Sequence, residues 1–256
     1  MRLTVDDPRW GNRTGRDVRV AVIDSGIHAM HPHIGHVADG VGIDALGEHG
    51  DHLDRLGHGT AVAAAICEKA PGAELLAVKV FDQALATSAA VLAAAIAWSA
   101  ERRARLINLS LGTAALEHRD VLGDAIERAR RAGAIVVAAR EADGLPMLPG
   151  SLPGVASVDL DWELPREVIE IDDTAGDRLL IRASGYPRPI PGVPKERNLS
   201  GISFAVANAT GVLARMLEAA LVARTVEDIV AMLAPEGGDS WSGDEPGRQD
   251  AAPPLP

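Results

Sequence analysis

The sequence predicts an α/β fold in which helices cover both faces of an open parallel β-sheet. Two observations favour this class. Short, continuous apolar runs rich in Val, Ile and Leu are typical of parallel strands that are buried on both faces. Longer stretches with helical periodicity lie between these runs, so strands and helices alternate along the chain. The 256 residues are 47% hydrophobic and 24% charged, which fits a globular chain with a large core.

The elements follow in order along the chain, and they form one predicted domain at residues 1–234. Strands are predicted at residues 18–23, 75–81, 106–110, 134–139, 155–160 and 179–183. Helices are predicted at residues 60–69, 88–102, 119–132, 204–221 and 226–233. Residues 185–199 contain several prolines and are predicted to form an extended surface loop. Residues 235–256 are rich in Pro, Gly and acidic side chains, so we expect a disordered tail.

Charge and composition argue against several classes of partner. The formal net charge is −11, so the phosphate backbone of a nucleic acid would be repelled. Aromatic residues make up only 3% of the chain, which also argues against base stacking. No apolar run is long enough to span a membrane, and the N-terminal residues lack the features of a secretory signal. The single cysteine, Cys67, allows no intrachain disulfide, and a cytoplasmic location is therefore expected.

Three polar residues are predicted to meet at one edge of the sheet. Asp24 directly follows the first predicted strand, and sites in open α/β sheets lie at the carboxyl ends of the strands. His58 stands between two glycines at the start of a helix, where the backbone can approach closely. Ser203 lies at the N-terminus of a long apolar helix, where free N–H groups and the helix dipole favour a developing negative charge.

Each of these residues alone has an ordinary structural interpretation. Asp24 is in a position to stabilise a turn, and Ser203 is in a position to cap a helix. Together they offer an orienting acid, a general base and a nucleophile, in the chain order Asp, His, Ser. The combination predicts acyl-transfer chemistry through a serine nucleophile, and no cofactor is expected.

The motifs around the three residues are distinctive. The Asp motif is RVAVIDSGIHAMHPHI, the His motif is GHGTAVAAAI and the Ser motif is GISFAVANATGVLARML. In this order and with these separations, they resemble the motifs of the subtilisin-like serine protease family over residues 16–222. The resemblance implies a subtilisin-like parallel sheet and a polypeptide substrate. It also implies that Ser203 is the nucleophile, His58 the general base and Asp24 the residue that orients His58.

The resemblance further implies substrate and oxyanion contacts. The segment LINLSLGT is similar to a wall of the family's substrate cleft, which implies that Ser110, Leu111 and Gly112 bind the substrate backbone. The backbone N–H of Ser203 is expected to form part of the oxyanion hole. The family's oxyanion-hole Asn is missing, because Ala142 stands at its position. The nearby Arg140 is a candidate replacement donor, and a surface arginine is the alternative interpretation.

Three functions stay open from the sequence. The favoured one is a cytoplasmic serine endopeptidase of narrow specificity that removes a leader peptide or matures a partner protein. Only 23 residues precede Asp24, which leaves no room for the inhibitory pro-domain of secreted relatives and favours a narrow substrate range. The missing Asn motivates the second function, a catalytically impaired module that binds peptides. The third is a peptide ligase or macrocyclase that uses the same acyl-enzyme. The sequence sets no oligomeric state.

Clustered histidines raise one further possibility. Four histidines occur in the segment HAMHPHIGH at residues 28–36, and further histidines and aspartates follow it. Clusters of this kind can bind zinc. Pro32 prevents a regular helix in the segment, so no pair of ligands is preset four residues apart. A polar surface loop near the cleft is therefore the favoured interpretation, and no metal site is predicted.

Overall fold

The computed structural model describes residues 1–82, 86–172, 178–220 and 222–233. The strands of these residues are β1 (Arg2–Thr4), β2 (Arg19–Asp24), β3 (His36–Asp44), β4 (Gly47–His49), β5 (Glu74–Lys79), β6 (Leu106–Leu109), β7 (Ile135–Ala139), β8 (Glu141–Ala142), β9 (Leu145–Pro146), β10 (Ala156–Leu160), β11 (Val168–Ile171) and β12 (Leu180–Ala183). The α-helices are α1 (His58–Lys69), α2 (Ala89–Glu101), α3 (Arg119–Arg131), α4 (Ile202–Ala219) and α5 (Val226–Leu233).

Ten of these strands form one sheet in the order β1-β11-β12-β10-β7-β6-β2-β5-β3-β4. The strands from β12 to β3 are parallel to one another, and β1, β11 and β4 are antiparallel additions at the two edges. The predicted α/β class is confirmed. Each predicted strand and helix is present, and no described bound differs from its predicted position by more than two residues.

The central strand β2 shows why the sheet is covered on both faces. Val20 and Val22 belong to one buried layer, which includes the apolar sides of α1 and α4. Ala21 and Ile23 belong to a second layer, which includes those of α2 and α3. Successive side chains of a strand point to opposite faces, so both sets must be apolar when both faces are buried. Burial of each Val or Ile contributes about 1.5–3 kcal/mol, which holds the carboxyl end of β2 firmly in place.

The strands at and next to the two edges of the sheet were not predicted. Strand β3 begins at His36, so part of the predicted polar surface loop is in fact a strand that pairs with β5. The first five residues of β3 are exposed or half-buried, and the strand contains Gly40 and Gly42. Such a sequence has no continuous apolar run, because a strand close to the edge of a sheet needs no full covering of its two faces. Strand β3 pairs on one side with β5, which is distant in the sequence, and on the other with the short edge strand β4.

Residues 185–199 form an irregular loop, as predicted, with one turn of 3₁₀ helix at Lys195–Arg197. The predicted disordered tail at residues 235–256 lies outside the described residues, as does residue 221 at the predicted end of the fourth helix. Among the helices that the structure describes, none combines the length and the apolar character needed to cross a membrane.

Candidate active site

Asp24 is the last residue of β2, and its side chain is completely buried. Its Oδ1 accepts two hydrogen bonds of 2.7 Å, one from Nδ1 of His58 and one from the backbone N–H of Ser25. Among the described residues, no group donates to Oδ2. A buried carboxylate is costly to desolvate unless a partner compensates its charge. The imidazole of His58 is therefore the ionisable group in direct contact that can neutralise Asp24.

His58 is the first residue of α1, and Gly57 makes the turn before it with a φ of +83°. Because a carboxylate only accepts hydrogen bonds, Nδ1 of His58 carries a proton, and Nε2 of the neutral ring keeps its lone pair. Burial lowers the pKa of His58, but the hydrogen bond and charge of Asp24 and the charge of Asp54 outweigh that effect. The pKa of His58 therefore lies above its usual value, and the ring is a stronger base than a free imidazole.

Ser203 is the second residue of α4 and is half-buried. Its Oγ donates a hydrogen bond of 3.2 Å to the backbone carbonyl oxygen of Ser110, directly after β6. The next residue, Phe204, packs against the imidazole of His58 with a distance of 5.9 Å between ring centroids. The structure thus brings Ser203 to the edge of the sheet that holds Asp24 and His58. In the part of the chain that the structure describes, no hydrogen bond joins His58 to Ser203.

A second buried carboxylate, Asp54, organises the turn that leads into α1. Its Oδ1 accepts hydrogen bonds from the hydroxyl of Ser25 and from the N–H groups of Leu56 and Gly57. Its Oδ2 accepts from both the N–H and the hydroxyl of Thr60. Burial raises the pKa of Asp54, but these hydrogen bonds outweigh the effect and hold the pKa below its usual value. From the sequence, the aspartates near the histidines were expected at most to be zinc ligands, and this structural role of Asp54 was not predicted.

The sequence does contain a signal for Asp54. The residue stands four positions before His58, and the N-cap residue Gly57 has no side chain that could cap α1. A helix that begins without its own polar cap needs acceptors from elsewhere for its free N–H groups. Ser25 completes the connection, because its hydroxyl donates to Asp54 and accepts from the N–H of Gly59 at 2.9 Å. The end of β2 and the start of α1 are joined in this way.

The predicted oxyanion donors have different surroundings. The N–H of Ser203 lies in the first turn of α4, where amides lack carbonyl partners within the helix. Ala142 lies on β8, is paired with Leu145 of β9 and brings no polar side chain. Nε of Arg140 donates to both carboxylate oxygens of Asp159 at 2.8 Å, and Nη2 lies 2.7 Å from Oδ2. The guanidinium is held on β10, and no contact within the described residues links it to Ser203. The structure therefore gives no support to Arg140 as the replacement donor.

The predicted substrate-binding residues follow β6. The hydroxyl of Ser110 accepts a hydrogen bond of 2.8 Å from Nδ2 of Asn108. A Cβ atom at Gly112 would lie 2.7 Å from the carbonyl oxygen of Leu148, so only glycine allows this close approach. The segment at Leu148 therefore lies directly against Gly112 on one side of residues 110–112. The pairing of Leu111 and its neighbours with a substrate backbone stays a prediction.

The histidine segment lies beside this site without forming a metal centre. Among the described residues, no group of three or more His, Cys, Asp or Glu side chains is arranged to hold a metal ion. The rings of His31 and His33 lie 5.1 Å apart, and the N–H of His33 donates to Nδ1 of His31. That hydrogen bond uses Nδ1 of His31 for a local turn. The structure therefore gives the zinc hypothesis no support.

Comparison with known proteins identifies the family. The model of the subtilase family matches residues 15–142, which is half of the chain and includes both Asp24 and His58. The chain therefore belongs to the subtilase family, and the resemblance seen in its motifs is confirmed.

The similar proteins are proteases. The minor extracellular protease Epr of Bacillus subtilis (strain 168) is 33% identical over 184 residues, which are 67% of this chain and 27% of that protein. Subtilisin E of the same strain is 28% identical over 209 residues, or 77% of this chain and 52% of that protein. Among solved structures, the prenylagaramide maturation protease PagA matches with a TM-score of 0.64 and 26% identity, and the match covers 86% of this chain and 83% of that chain. The chain thus spans about a quarter of the length of the Epr protease and about half of the length of subtilisin E.

Proposed function

We propose that this chain is a serine endopeptidase of narrow specificity whose nucleophile is Ser203. One observation carries the proposal. A buried hydrogen bond of 2.7 Å joins Asp24 to His58 at the carboxyl end of β2, beside the first turn of the helix that carries Ser203. An Asp–His pair of this kind presents a basic Nε2 to a neighbouring hydroxyl, which is the arrangement that activates a serine.

In the proposed reaction, Oγ of Ser203 attacks the carbonyl carbon of the scissile peptide bond. Its hydroxyl first turns from the carbonyl of Ser110 to Nε2 of His58, which takes the proton. Hydrogen bonds of this kind are often absent in the free enzyme and form in the substrate complex. His58 then gives the proton to the leaving amine, and the acyl group stays on Ser203 until water, activated by the same ring, releases it. Asp24 stabilises the imidazolium in both halves of the reaction.

The proposed oxyanion hole has one backbone donor, the N–H of Ser203, and lacks a side-chain amide at Ala142. In subtilisin, loss of the corresponding Asn donor lowers kcat by about 10²–10³. We therefore expect slow turnover. A slow enzyme is adequate for a single cut in one precursor and poorly suited to general protein digestion.

The proposed substrate is a precursor polypeptide from which a leader peptide is removed. The similarity to PagA supports this class, because that protein is described as a maturation protease. Within the class, the enzyme that matures quinohemoprotein amine dehydrogenase is one candidate relative, and no residue of this chain singles out its substrate. We propose a cytoplasmic location because the single cysteine, Cys67, is free and buried, as in chains that need no disulfide.

Covalent labelling with a fluorophosphonate probe tests the proposal. The intact mass of the wild-type protein should rise by one adduct. The adduct should be lost in Ser203→Ala and His58→Ala. The matched control is Ser200→Ala, which removes an exposed hydroxyl three residues earlier and should retain the adduct. Thermal unfolding of each variant confirms that it is folded. A folded wild-type protein that gains no adduct after hours overturns the proposal.

Peptide binding without catalysis is the second candidate function. The pairing of Arg140 with Asp159 favours this candidate function. Arg140 is the one predicted replacement for the missing oxyanion donor, and its guanidinium is already bound by Asp159. This candidate predicts that Ser203 stays unlabelled while peptides still bind. A peptide ligase would be labelled like a protease, and its products would distinguish it. Hydrolysis adds one water to the summed mass of the fragments, and transpeptidation does not.

A further inference from the structure

A cavity of about 590 Å³ opens beside His58. One wall is the loop that contains His31 and His33, the second is the start of α1 with the turn before it, and the third is the loop at residues 187–199. Its volume is typical of sites that bind small ligands or a few residues of a peptide. Ser110, Leu111 and Gly112, which the proposed function assigns to the acyl part of the substrate, do not line it.

The position of the cavity indicates which part of a substrate it receives. In the proposed reaction His58 protonates the leaving amine, so the residues after the scissile bond must lie close to the imidazole. The cavity is lined by Gly57 and Thr60, on either side of His58 in the sequence, and by Asn198 and Leu199, shortly before Ser203. The leaving segment of the peptide is therefore the part that reaches this cavity. This step rests on the proposed function.

The charges that line the cavity are not balanced. Arg188 is half-buried, and among the described residues its guanidinium has no ion pair and no hydrogen bond. The other lining arginine, Arg55, is bound at 2.6 Å by Asp51. The one lining carboxylate, Asp54, already accepts hydrogen bonds on both oxygens. One cationic group is thus left without a counterion, and the lining offers no free carboxylate to supply it.

The neighbouring imidazole responds to this charge. Burial lowers the pKa of His33, the charges of Arg188 and His31 lower it further, and the charge of Glu68 offsets only part of this shift. A histidine with a lowered pKa is neutral at pH 7 and serves as a hydrogen-bonding group. This wall therefore combines one unpaired cation with the neutral ring of His33. The exposed apolar side chains Leu56 and Leu199 form another part of the lining.

We propose that the cavity binds an acidic side chain, Asp or Glu, from the segment that follows the scissile bond. Its carboxylate pairs with Arg188, and its methylene groups lie against Leu56 and Leu199. Charge complementarity is the basis of the proposal, because a carboxylate supplies the counterion that Arg188 lacks. A charge-assisted hydrogen bond at a half-buried site corresponds to a preference of about tenfold over a neutral amide of the same shape.

Acyl-transfer partitioning tests this preference without knowledge of the natural substrate. p-Nitrophenyl acetate acetylates Ser203 and releases p-nitrophenol. Water then gives acetate, and an added peptide amine gives an N-acetyl peptide with return of the Ser203 proton. The probes are tripeptide amides of alanine that carry one Asp or one Asn at the first, second or third position. The measured quantity is the ratio of N-acetyl peptide to acetate.

The expected result is a ratio about tenfold higher for Asp than for Asn at one of the three positions. Arg188→Gln should reduce that preference to about one, and Arg188→Lys should retain part of it because the charge remains. The matched control is Arg197→Gln, which removes a charge from an exposed residue of the same loop that does not line the cavity. It should leave the preference unchanged.

Three results would overturn the proposal, and they are distinguishable. Equal ratios for Asp and Asn with normal release of p-nitrophenol show that the cavity does not select acidic side chains. The second result compares trialanine with a free C-terminal carboxylate and trialanine amide. If the acid is preferred over the amide by more than Asp is preferred over Asn, the cavity binds the C-terminus of a chain and not an acidic side chain. No release of p-nitrophenol and no fluorophosphonate adduct overturn the proposed function, and this inference falls with it.

Discussion

Two carboxylates act on His58 in different ways. Asp24 touches the imidazole, orients Nδ1 and compensates its positive charge. Asp54 does not touch the ring and instead accepts the hydrogen bonds that shape the turn before α1. Asp24 is therefore the main source of the raised pKa of His58. Asp54 adds a smaller electrostatic effect on that pKa and also fixes the turn that positions the ring.

The basicity of His58 predicts the pH dependence of labelling. The base must be neutral to accept a proton, so the rate of fluorophosphonate labelling should rise with pH through the pKa of His58. That pKa is raised, so the midpoint should lie above the usual value of 6.5. Asp24→Asn should lower the rate by about 10⁴ and move the midpoint to lower pH, because the partner of the imidazolium is lost. A wild-type midpoint at or below 6.5 would contradict the geometry.

The hydrogen bonds of Asp54 predict a stability effect. Asp54→Asn places an NH₂ group against donors at Leu56, Gly57 and Thr60 and leaves some of them unpaired. The free energy of unfolding should fall by about 1–3 kcal/mol, measured by urea denaturation. The control is Asp39→Asn, which removes an exposed ion pair and should cost about 0–1 kcal/mol. Similar losses in the two variants would show that the network around Asp54 is weaker than its geometry implies.

At the scale of elements, the contact between α1 and the end of β2 depends on one residue. A Cβ atom at Gly59 would lie 2.2 Å from the carbonyl oxygen of Gly26 and 3.2 Å from Oδ1 of Asp24. A backbone oxygen cannot move away as a flexible side chain can. Gly59 is therefore the residue that lets α1 begin close enough to β2 for Asp24 and His58 to touch.

This contact predicts opposite effects for two glycine substitutions. Gly59→Ala should separate α1 from β2, lower the midpoint of thermal unfolding and abolish labelling of Ser203. Gly123→Ala is the control, because Gly123 lies inside α3 and a Cβ there meets nothing within 4 Å. It should raise the free energy of unfolding by about 0.5–1 kcal/mol, since alanine favours a helix. Normal labelling of Gly59→Ala would show that α1 can be displaced without harm.

The elements also show what the sequence could and could not predict. The parallel strands were predictable, because a strand that is buried on both faces needs a continuous run of apolar residues. The strands β1, β3 and β11, which lie at or next to the two edges, lack such runs. β1 and β3 also pair with strands far away in the sequence, β11 and β5. Nothing in a local window specifies that kind of pairing.

The candidate site also contains residues that the sequence could predict and contacts that it could not. Asp24, His58 and Ser203 were predictable because each sits at a recognisable strand end or helix start. The bond between Ser25 and Asp54 joins residues 29 positions apart, and that between Arg140 and Asp159 joins residues 19 positions apart. Each partner is chosen by the register of the folded chain. The Arg140 pair follows directly from the register in which Ala139 opposes Val158.

At the scale of the whole molecule, a buried lysine links folding to pH. Lys69 lies at the end of α1 with 2% of its surface exposed, and its Nζ lies 3.0 Å from a carboxylate oxygen of Glu68. Burial and the charge of Arg166 together lower its pKa from 10.5 to about 8, against the opposing effects of Glu68 and Glu167. Between these two values the unfolded chain binds more protons than the folded one, so stability attributable to Lys69 rises with pH.

This linkage predicts a difference between the wild-type protein and Lys69→Gln. The wild-type protein should gain on the order of 2 kcal/mol in free energy of unfolding relative to the variant as the pH rises from 8 to 10.5. Urea denaturation of both proteins at several pH values measures it. If the free energies of unfolding of the two proteins change with pH by the same amount, the ammonium group of Lys69 is better solvated than its burial indicates.

The free thiol of Cys67 gives the molecule a practical property. Burial raises its pKa, although the N–H of Gly35 and the charge of Arg188 act in the opposite direction. A buried, protonated thiol reacts slowly with maleimides and iodoacetamides. A cysteine introduced by Leu46→Cys, at a position that is 98% exposed, would then be the single fast-reacting thiol of the native protein. Dyes or spin labels can therefore be attached at one chosen point while every native core residue stays in place.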